Sequence, residues 1–299
     1  MGTSSRITKD SAYYFSAQFW MVLLVGFLPG LLRFIQNLLV IRQLESYGEL
    51  YAYYQALSSG VAQWLIIYLL PGIIGAAVVV ALAYTKIIDW KALNWTHVLI
   101  MLLLVLLCDE QLCYSEKIAS VGIGADAAVA ISLFRTYAEV VSLIPVWRWF
   151  IICVYLLTVS KRIKKIGRII LITTGVLVAC TILALLINVA FYRFLQIPNN
   201  ILPYLEVCSQ RFISTSWINR LIILCMTLAM GKHCWKRRVI IVLMVIRLAV
   251  AWILRPLLVF SLQLGIAGMP VAETITYMTV GAISLLYQGS LCRQLKKHR

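Results

Sequence analysis

The stretch Ser160-Lys-Arg-Ile-Lys-Lys-Ile-Gly-Arg168 places five positive charges between two long apolar runs. Similar clusters follow at residues 232–238 and 293–299, and each interval leaves room for two membrane crossings of about 20 residues. The intervening linkers, 196–200 and 264–270, carry no Lys or Arg. Because excess Lys and Arg in short loops marks the cytoplasmic side, the pattern predicts a multi-pass protein with a cytoplasmic C-terminus.

The composition indicates that the chain is surrounded by lipid rather than by water. It is 62% hydrophobic and 13% charged, with a mean hydropathy of +0.92, whereas soluble domains carry about 25% charged residues. The net charge of +16 lies mostly in the loop clusters, so topology explains it and we expect no nucleic-acid partner. We predict a location in the cell membrane, with membrane lipid as an obligatory partner.

The apolar runs predict about nine membrane-spanning helices. With nine spans and a cytoplasmic C-terminus, the N-terminus lies outside. Since every lipid-exposed backbone group must be satisfied within its own segment, the fold class is an all-α, polytopic transmembrane helix bundle. We expect kinks at Pro145 and Pro256. The predicted spans cover residues 12–34, 50–70, 73–88, 96–119, 127–159, 169–195, 201–230, 239–264 and 271–292.

Two segments suggest an internal repeat. They are Leu70-Pro-Gly-Ile-Ile-Gly-Ala-Ala77 and Leu264-Gly-Ile-Ala-Gly-Met-Pro270. Each contains Gly-Ile-x-Gly and precedes an apolar run with a basic end, so we expect an outer turn at both places. Repeats of this kind are common in secondary transporters, which are built from two related lobes.

On these segments the chain resembles the multidrug and toxic compound extrusion (MATE) family, within the multidrug, oligosaccharidyl-lipid and polysaccharide exporters. Val121-Gly-Ile-Gly-Ala-Asp-Ala-Ala-Val-Ala130 is similar to the start of a lobe's second helix. Phe134-Arg-Thr-Tyr-Ala-Glu-Val-Val-Ser-Leu-Ile-Pro145 is similar to that helix's continuation toward its proline. The resemblance implies a six-helix C-terminal lobe over 93–299 and a partial, three-helix N-terminal lobe over 1–92. The first three helices of a twelve-helix transporter are then lacking.

Acidic residues in the fourth predicted helix are the candidates for cation coupling. Asp109 and Glu110 lie deep in that span and Glu116 nearer its outer end, and no basic residue lies within one turn of Asp109 in the sequence. Burial and a neighbouring like charge disfavour the ionised form of a carboxyl. A carboxyl that exchanges protons near neutral pH suits a coupled antiporter, and the resemblance implies such a role for an acid on this helix. H⁺ or Na⁺ is the expected coupling ion, and we expect no cofactor.

Other buried charges and aromatics are candidates for a substrate cavity. Arg135 and Glu139 are four residues apart on one helical face and either neutralise each other or contact substrate. The other charges within the spans are mostly positive, with Arg255 among them, which favours anionic cargo. Trp147 follows Pro145 and lines either the cavity or the interfacial aromatic belt. Arg220 and Arg247 we expect to snorkel toward the cytoplasm.

No enzyme motif is present, neither His-Glu-x-x-His nor Gly-x-x-x-x-Gly-Lys, and no metal site is expected. The leading hypothesis is a cation-coupled, MATE-like antiporter that exports a small molecule. One alternative is a flippase for an anionic lipid-linked saccharide. Another is a non-transporting or split-transporter subunit, because the family's Gly-Gln-x-x-Gly is replaced by Tyr155-Leu-Leu-Thr-Val159. In that case a second membrane subunit supplies the missing helices.

Overall fold

The computed structural model describes residues 17–44, 69–88, 90, 93–108, 124, 126–127, 130, 144–194, 199–233 and 237–297. Within these ranges the protein is all-helical and contains no strand, which confirms the predicted fold class at that level. The helices are α1 (Ala17–Leu44), α2 (Leu70–Tyr84), α3 (Trp95–Cys108), α4 (Ile144–Val159), α5 (Ile166–Phe194), α6 (Leu202–His233), α7 (Arg237–Pro256) and α8 (Gly268–Lys297).

Four of the helical segments are long and apolar enough to cross a membrane. They are Ile166–Ile187, Ile213–Lys232, Arg238–Ser261 and Gly265–Ser290. Large apolar side chains face outward, as Leu171 on α5 and Leu286 on α8 do, while Arg247 and Glu273 are buried. An apolar exterior around buried polar groups suits a lipid solvent. The count of nine spans stays a prediction, as does the orientation of the termini.

The predicted helix boundaries hold best in the second half of the chain, where α5, α6 and α8 match the sixth, seventh and ninth predicted spans within about five residues. Helix α7 begins as predicted but ends at Pro256, eight residues before the predicted end. The first helix extends further than predicted. Helix α1 passes through Pro29 and Arg33 and ends at Leu44, ten residues after the predicted end at residue 34. Residues 50–68 of the second predicted span lie outside the described residues, as do residues 109–119 of the fourth span and most of the first half of the fifth.

Helices α3 and α4 form the centre of the bundle. α3 packs against α1, α4, α6 and α7, and α4 packs against α1, α2, α3 and α6. Both helices are buried on several sides, with Leu104 and Tyr155 completely inaccessible. Helix α5 packs mainly on α6 and presents most of its surface outward. The central position of α3 decides where Leu106 and Leu107, and hence the candidate site, lie.

The two Gly-Ile-x-Gly segments have different structures, so the expectation of matching outer turns is wrong for the first. Gly72 and Gly75 lie inside α2, where a Cβ would overlap Phe27 and Trp149, respectively. These glycines permit close helix packing. In the second segment Gly265 has φ +54° and opens a short 3-10 turn, a conformation that glycine adopts without strain.

Pro256 ends the regular part of α7. The chain continues for one π-helical turn, Leu257–Ser261, before the hairpin into α8. Proline has no N–H to donate and its ring clashes with the preceding turn, which breaks the α-helical register. The irregularity predicted at Pro256 is therefore present.

Hydrogen bonds join connectors that the charge pattern places on the same face. Arg162 Nε donates to the carbonyl of Ile87 at 3.0 Å, linking two connectors that carry Lys and Arg. At the opposite end Asn200 Nδ2 donates to Asp126 Oδ1 at 3.1 Å. We call the end with connectors 85–94 and 160–165 the basic end, and the end with residues 199–201 and 262–267 the outer end.

This arrangement predicts the labelling of single cysteines in a background without native cysteines. Cysteines replacing Lys86 and Lys164 should react with a membrane-impermeant maleimide only after the inner face is opened to the reagent. Cysteines replacing Asn199 and Gln263 should react in intact cells. All four positions are exposed, so accessibility reports the side of the membrane. Labelling of positions 86 and 164 from opposite sides would contradict the fold.

Candidate functional site

The sequence predicts seven residues for the cation-coupling and substrate sites, and the structure describes two of them. Trp147 lies in the first described turn of α4 and Arg255 near the end of α7 toward the outer end, and both are buried. Their helices each pack against α3. Asp109, Glu110, Glu116, Arg135 and Glu139 lie outside the described residues.

The best-defined polar cluster lies around Leu106 and Leu107 of α3 and contains Arg247 and Tyr277. Arg247 Nη1 donates to the carbonyl of Leu106 at 3.2 Å, and Nη2 donates to Tyr277 Oη at 2.9 Å. Tyr277 Oη in turn donates to the carbonyl of Leu107 at 2.6 Å. The guanidinium carbon also lies 5.0 Å from the centroid of the Tyr277 ring.

The cluster follows from the hydrogen-bonding capacity of its groups. A backbone carbonyl has two lone pairs and accepts a side-chain donor as well as a helical N–H. A guanidinium supplies both a positive charge and several donors in a fixed fork. Arg247 from α7 and Tyr277 from α8 thus donate to two neighbouring carbonyls of α3, those of Leu106 and Leu107, inside the bundle. The expectation that Arg247 snorkels toward water is wrong, since its side chain is only 2% exposed.

The cluster brings a basic residue to a stretch of α3 that has none nearby in the sequence. No Lys or Arg lies within one turn of Leu106 or Leu107 along the chain. Arg247 nevertheless donates to the carbonyl of Leu106. Long-range packing of α7 against α3 brings this charge there, and local sequence spacing carries no sign of it.

Helix register places further polar groups at the same depth. Gly281 of α8 lies against Ile222 of α6, where a Cβ would be 2.9 Å from Ile222 Cγ2. Helices α6 and α8 run in the same direction, so residues four positions before Ile222 and Gly281 also lie at one depth. These residues are Ile218, next to Asn219, and Tyr277. Arg247 is ten residues, or about 15 Å, from the start of α7. This is about half the hydrocarbon thickness of a bilayer.

The same counting applies between α4 and α6. A Cβ on Gly231 would lie 2.8 Å from Thr158 Cβ, so residues eleven positions earlier on each helix, Trp147 and Arg220, are about level. We call the set at this depth the central layer. It consists of Trp147, Arg148, Asn219, Arg220, Arg247 and Tyr277.

Trp147 and Asn219 of the central layer each bury a polar atom that has no hydrogen-bond partner among the described residues. The atoms are the indole Nε1–H of Trp147, a donor, and Oδ1 of Asn219, an acceptor. Asn219 is 1% exposed. Leaving such groups unsatisfied costs roughly 1–3 kcal/mol each. Buried polar atoms of this kind occur where a ligand, an ion or water completes the bonding.

A cleft of about 350 Å³ lies between α6 and α8 on the outer side of the central layer, lined by Gln210, Ser214, Thr215, Pro270 and Val271. Glu273 is buried one turn deeper on α8. From the cleft, polar side chains therefore continue inward to Tyr277. Arg255 lies eight residues, or about 12 Å, beyond Arg247 toward the outer end.

Most buried hydroxyls of these helices have a local explanation. Ser216, Thr227, Thr276 and Ser284 each donate to a carbonyl three or four residues earlier on their own helix. Such bonds satisfy a hydroxyl without any ligand. We therefore exclude these residues from the site and keep the arginines, Asn219, Trp147 and Tyr277.

His97 forms a separate buried pair near the basic end. Its Nδ1 lies 2.9 Å from Tyr155 Oη, and Asn94 Oδ1 accepts a bond from its backbone N–H at the start of α3. No group of three or more metal-ligating side chains occurs in the part of the chain that the structure describes. The pair is best explained as a packing contact between α3 and α4.

Comparison with protein-family models, curated proteins and solved structures found no match for this chain. The resemblance to the MATE family and the division into two lobes therefore stay predictions. Function has to be argued from the central layer itself.

Sequence reasoning missed the main members of the central layer. Arg247 was assigned to the interface, and Asn219 and Tyr277 were not singled out. The available signal was the position of Arg247 in the middle of an apolar run, because a charge there is costly and is usually functional. Tyr277 and Asn219 carry no comparable sign in the sequence.

Proposed function

We propose that this chain is an integral membrane secondary transporter that moves an anionic substrate through its helical bundle. The supporting observation is Arg247, buried at mid-depth and hydrogen-bonded to the carbonyl of Leu106 on α3. Among the buried charged residues described, the acid is Glu273 and the bases are Arg148, Arg247 and Arg255. A positive interior favours anions over cationic drugs.

In this proposal the fork of Arg247 is the substrate contact. An entering carboxylate or phosphate binds the guanidinium more strongly than a neutral carbonyl does. It therefore competes with Leu106 and loosens the contact between α7 and α3. A ligand that interacts differently with two packings shifts their populations, which is the requirement for alternating access. Asn219 and Trp147 supply an acceptor and a donor at the same level.

The coupling ion in this proposal is H⁺ or Na⁺. Asp109 and Glu110 follow Cys108, the last residue of α3, directly in the sequence, and Glu116 follows further on. Their protonation or Na⁺ binding would change the charge that α3 presents to Arg247. A MATE-like antiporter and an anionic-lipid flippase share this scheme and differ only in cargo.

The test is flux into proteoliposomes that contain the purified chain. We would impose a pH gradient or a Na⁺ gradient and follow radiolabelled phosphate, succinate and glucose 6-phosphate, with ethidium as a cationic probe. A phospholipid with a fluorescent headgroup, scored by its accessibility to dithionite, tests the flippase version. We expect gradient-dependent movement of at least one anionic probe and none of ethidium.

Two results would contradict the proposal. Gradient-driven ethidium movement without any anion movement would instead support the hypothesis that the chain exports cationic drugs. Absence of gradient-dependent flux of every probe would favour the non-transporting subunit. The flux assay is then repeated after adding a co-encoded membrane protein with three helices. Recovery of flux would identify a split transporter, and continued absence of flux would identify a non-transporting subunit.

A further inference from the structure

We propose a binding site for an anionic phospholipid in the groove between α6 and α8, on the basic side of the central layer. The groove has a volume of about 350 Å³, and its lining includes Ile222, Met226, Ala229, Met278, Leu285 and Gln288. This site is independent of the transport path, because it opens on the outer surface of the bundle.

The shape of the groove follows from one close helix contact. Gly281 lets α8 approach Ile222 of α6, and an added Cβ there would be only 2.9 Å away. On the rim, Met278 and Leu285 are 56% and 69% exposed. An apolar channel therefore lies open to the surrounding lipid, with its floor formed where the two helices touch.

The length of the groove fits one leaflet. Its lining on α6 runs from Ile218 to Ala229, which is eleven residues or about 16 Å. Half of the hydrocarbon core of a bilayer is about 15 Å. Ile218 is level with Tyr277 in the central layer, and Ala229 lies three residues before Lys232. The groove thus spans the leaflet on the basic side, which suits a lipid acyl chain.

Charge selects the headgroup. The lining stripe of α6, with Cys225 and Ala229, continues at helical spacing to Lys232, which is exposed. On α8, Lys296 lies about two helical turns beyond Gln288 in the sequence, and α7 begins with the exposed Arg238. Basic residues at the end of a groove between membrane helices favour a phosphate headgroup without a compensating positive charge. Phosphatidylglycerol meets this description and phosphatidylcholine does not.

The test is native mass spectrometry of the detergent-purified full chain, titrated with phosphatidylglycerol or with phosphatidylcholine. The double variant Lys232→Gln, Lys296→Gln should weaken phosphatidylglycerol binding about twenty- to thirtyfold, at about fivefold per lysine, and leave phosphatidylcholine binding unchanged. The variant Ala282→Trp, which fills the groove, should reduce binding of both lipids. The variant Lys164→Gln, Lys165→Gln removes the same charge from another connector and should bind like the native chain.

Three results would overturn the site. The first is equal binding of the two lipids by the native chain. The second is loss of selectivity in the Lys164, Lys165 control as large as in the Lys232, Lys296 variant. The third is a dimer of the native chain in lipid-free detergent that Ala282→Trp converts to a monomer, which would make the groove a contact between copies. If Ala282→Trp does not fold, the lysine variants still decide the matter.

Discussion

Replacing Arg247 with methionine is expected to lower anion transport about 10- to 100-fold while the protein stays folded. A charge-assisted hydrogen bond to a substrate contributes roughly 1.5–3 kcal/mol, and methionine has neither charge nor donors. The folded state loses the bonds from Arg247 to Leu106 and Tyr277. It also avoids the cost of burying a guanidinium, several kcal/mol per ion. We therefore expect the free energy of unfolding to change by less than about 2 kcal/mol.

The measurement pairs flux in proteoliposomes with thermal unfolding in detergent, and two variants serve as controls. Arg247→Lys keeps the charge and loses the fork, so its flux should fall between those of the native chain and the methionine variant. Lys164→Gln removes an exposed charge from a connector and should leave both readouts unchanged. If Arg247 is only a structural clamp, Arg247→Met will unfold at much lower temperature, and its flux per folded molecule will equal the native value.

Replacing Gly75 with leucine is expected to have the largest effect on stability. Gly75 of α2 lies directly under the ring of Trp149 from α4, and even a Cβ would overlap that ring. Trp149 is 5% exposed and packs edge-on against Phe27 of α1 at 5.5 Å, so it has little room to move. Overpacking of a close contact costs about 3 kcal/mol. The midpoint of thermal unfolding in detergent should fall by about 6–12 °C.

Gly175→Leu is the matched control, because Gly175 is also helical but has no atom within 4 Å of the position of its Cβ. We expect it to be neutral or slightly stabilising, since leucine favours helix more than glycine does. Trp149→Ala should itself destabilise the bundle. Gly75→Leu should then add little in the double variant, because the space is empty. Equal effects of the two glycine variants in the native background would contradict the packing explanation.

The helices of the second half of the chain were predictable because their signal is local. Apolar runs about 20 residues long, separated by clusters such as Lys161 to Arg168, define α4 to α8 without reference to the rest of the fold. Pro256 marked the end of regular α7 for the same reason, since a missing N–H acts within one turn. The exposed apolar surface, as at Leu171 and Leu286, follows from composition.

The candidate site was not predictable to the same degree. The sequence emphasised Asp109 and Arg255, and it assigned Arg247 to the interface. Arg247 and Leu106 are 141 positions apart in the chain, and no periodicity links residues at that separation. Gly75 was interpreted as part of a turn because a local Gly-Ile-x-Gly pattern resembles one, whereas its role depends on Trp149 of another helix.

The sequence by itself determined an all-helical membrane bundle and the grouping of its connectors into two faces. Lipid imposes these features on each segment separately, through the cost of unsatisfied backbone groups and of charges moved across the membrane. Only the tertiary structure decided which buried charge meets the carbonyl of Leu106 on α3, and which polar groups share its depth. Those choices depend on the packing of α7 against α3 and on the hydrogen bond from Tyr277 of α8, contacts between distant segments that no local preference specifies.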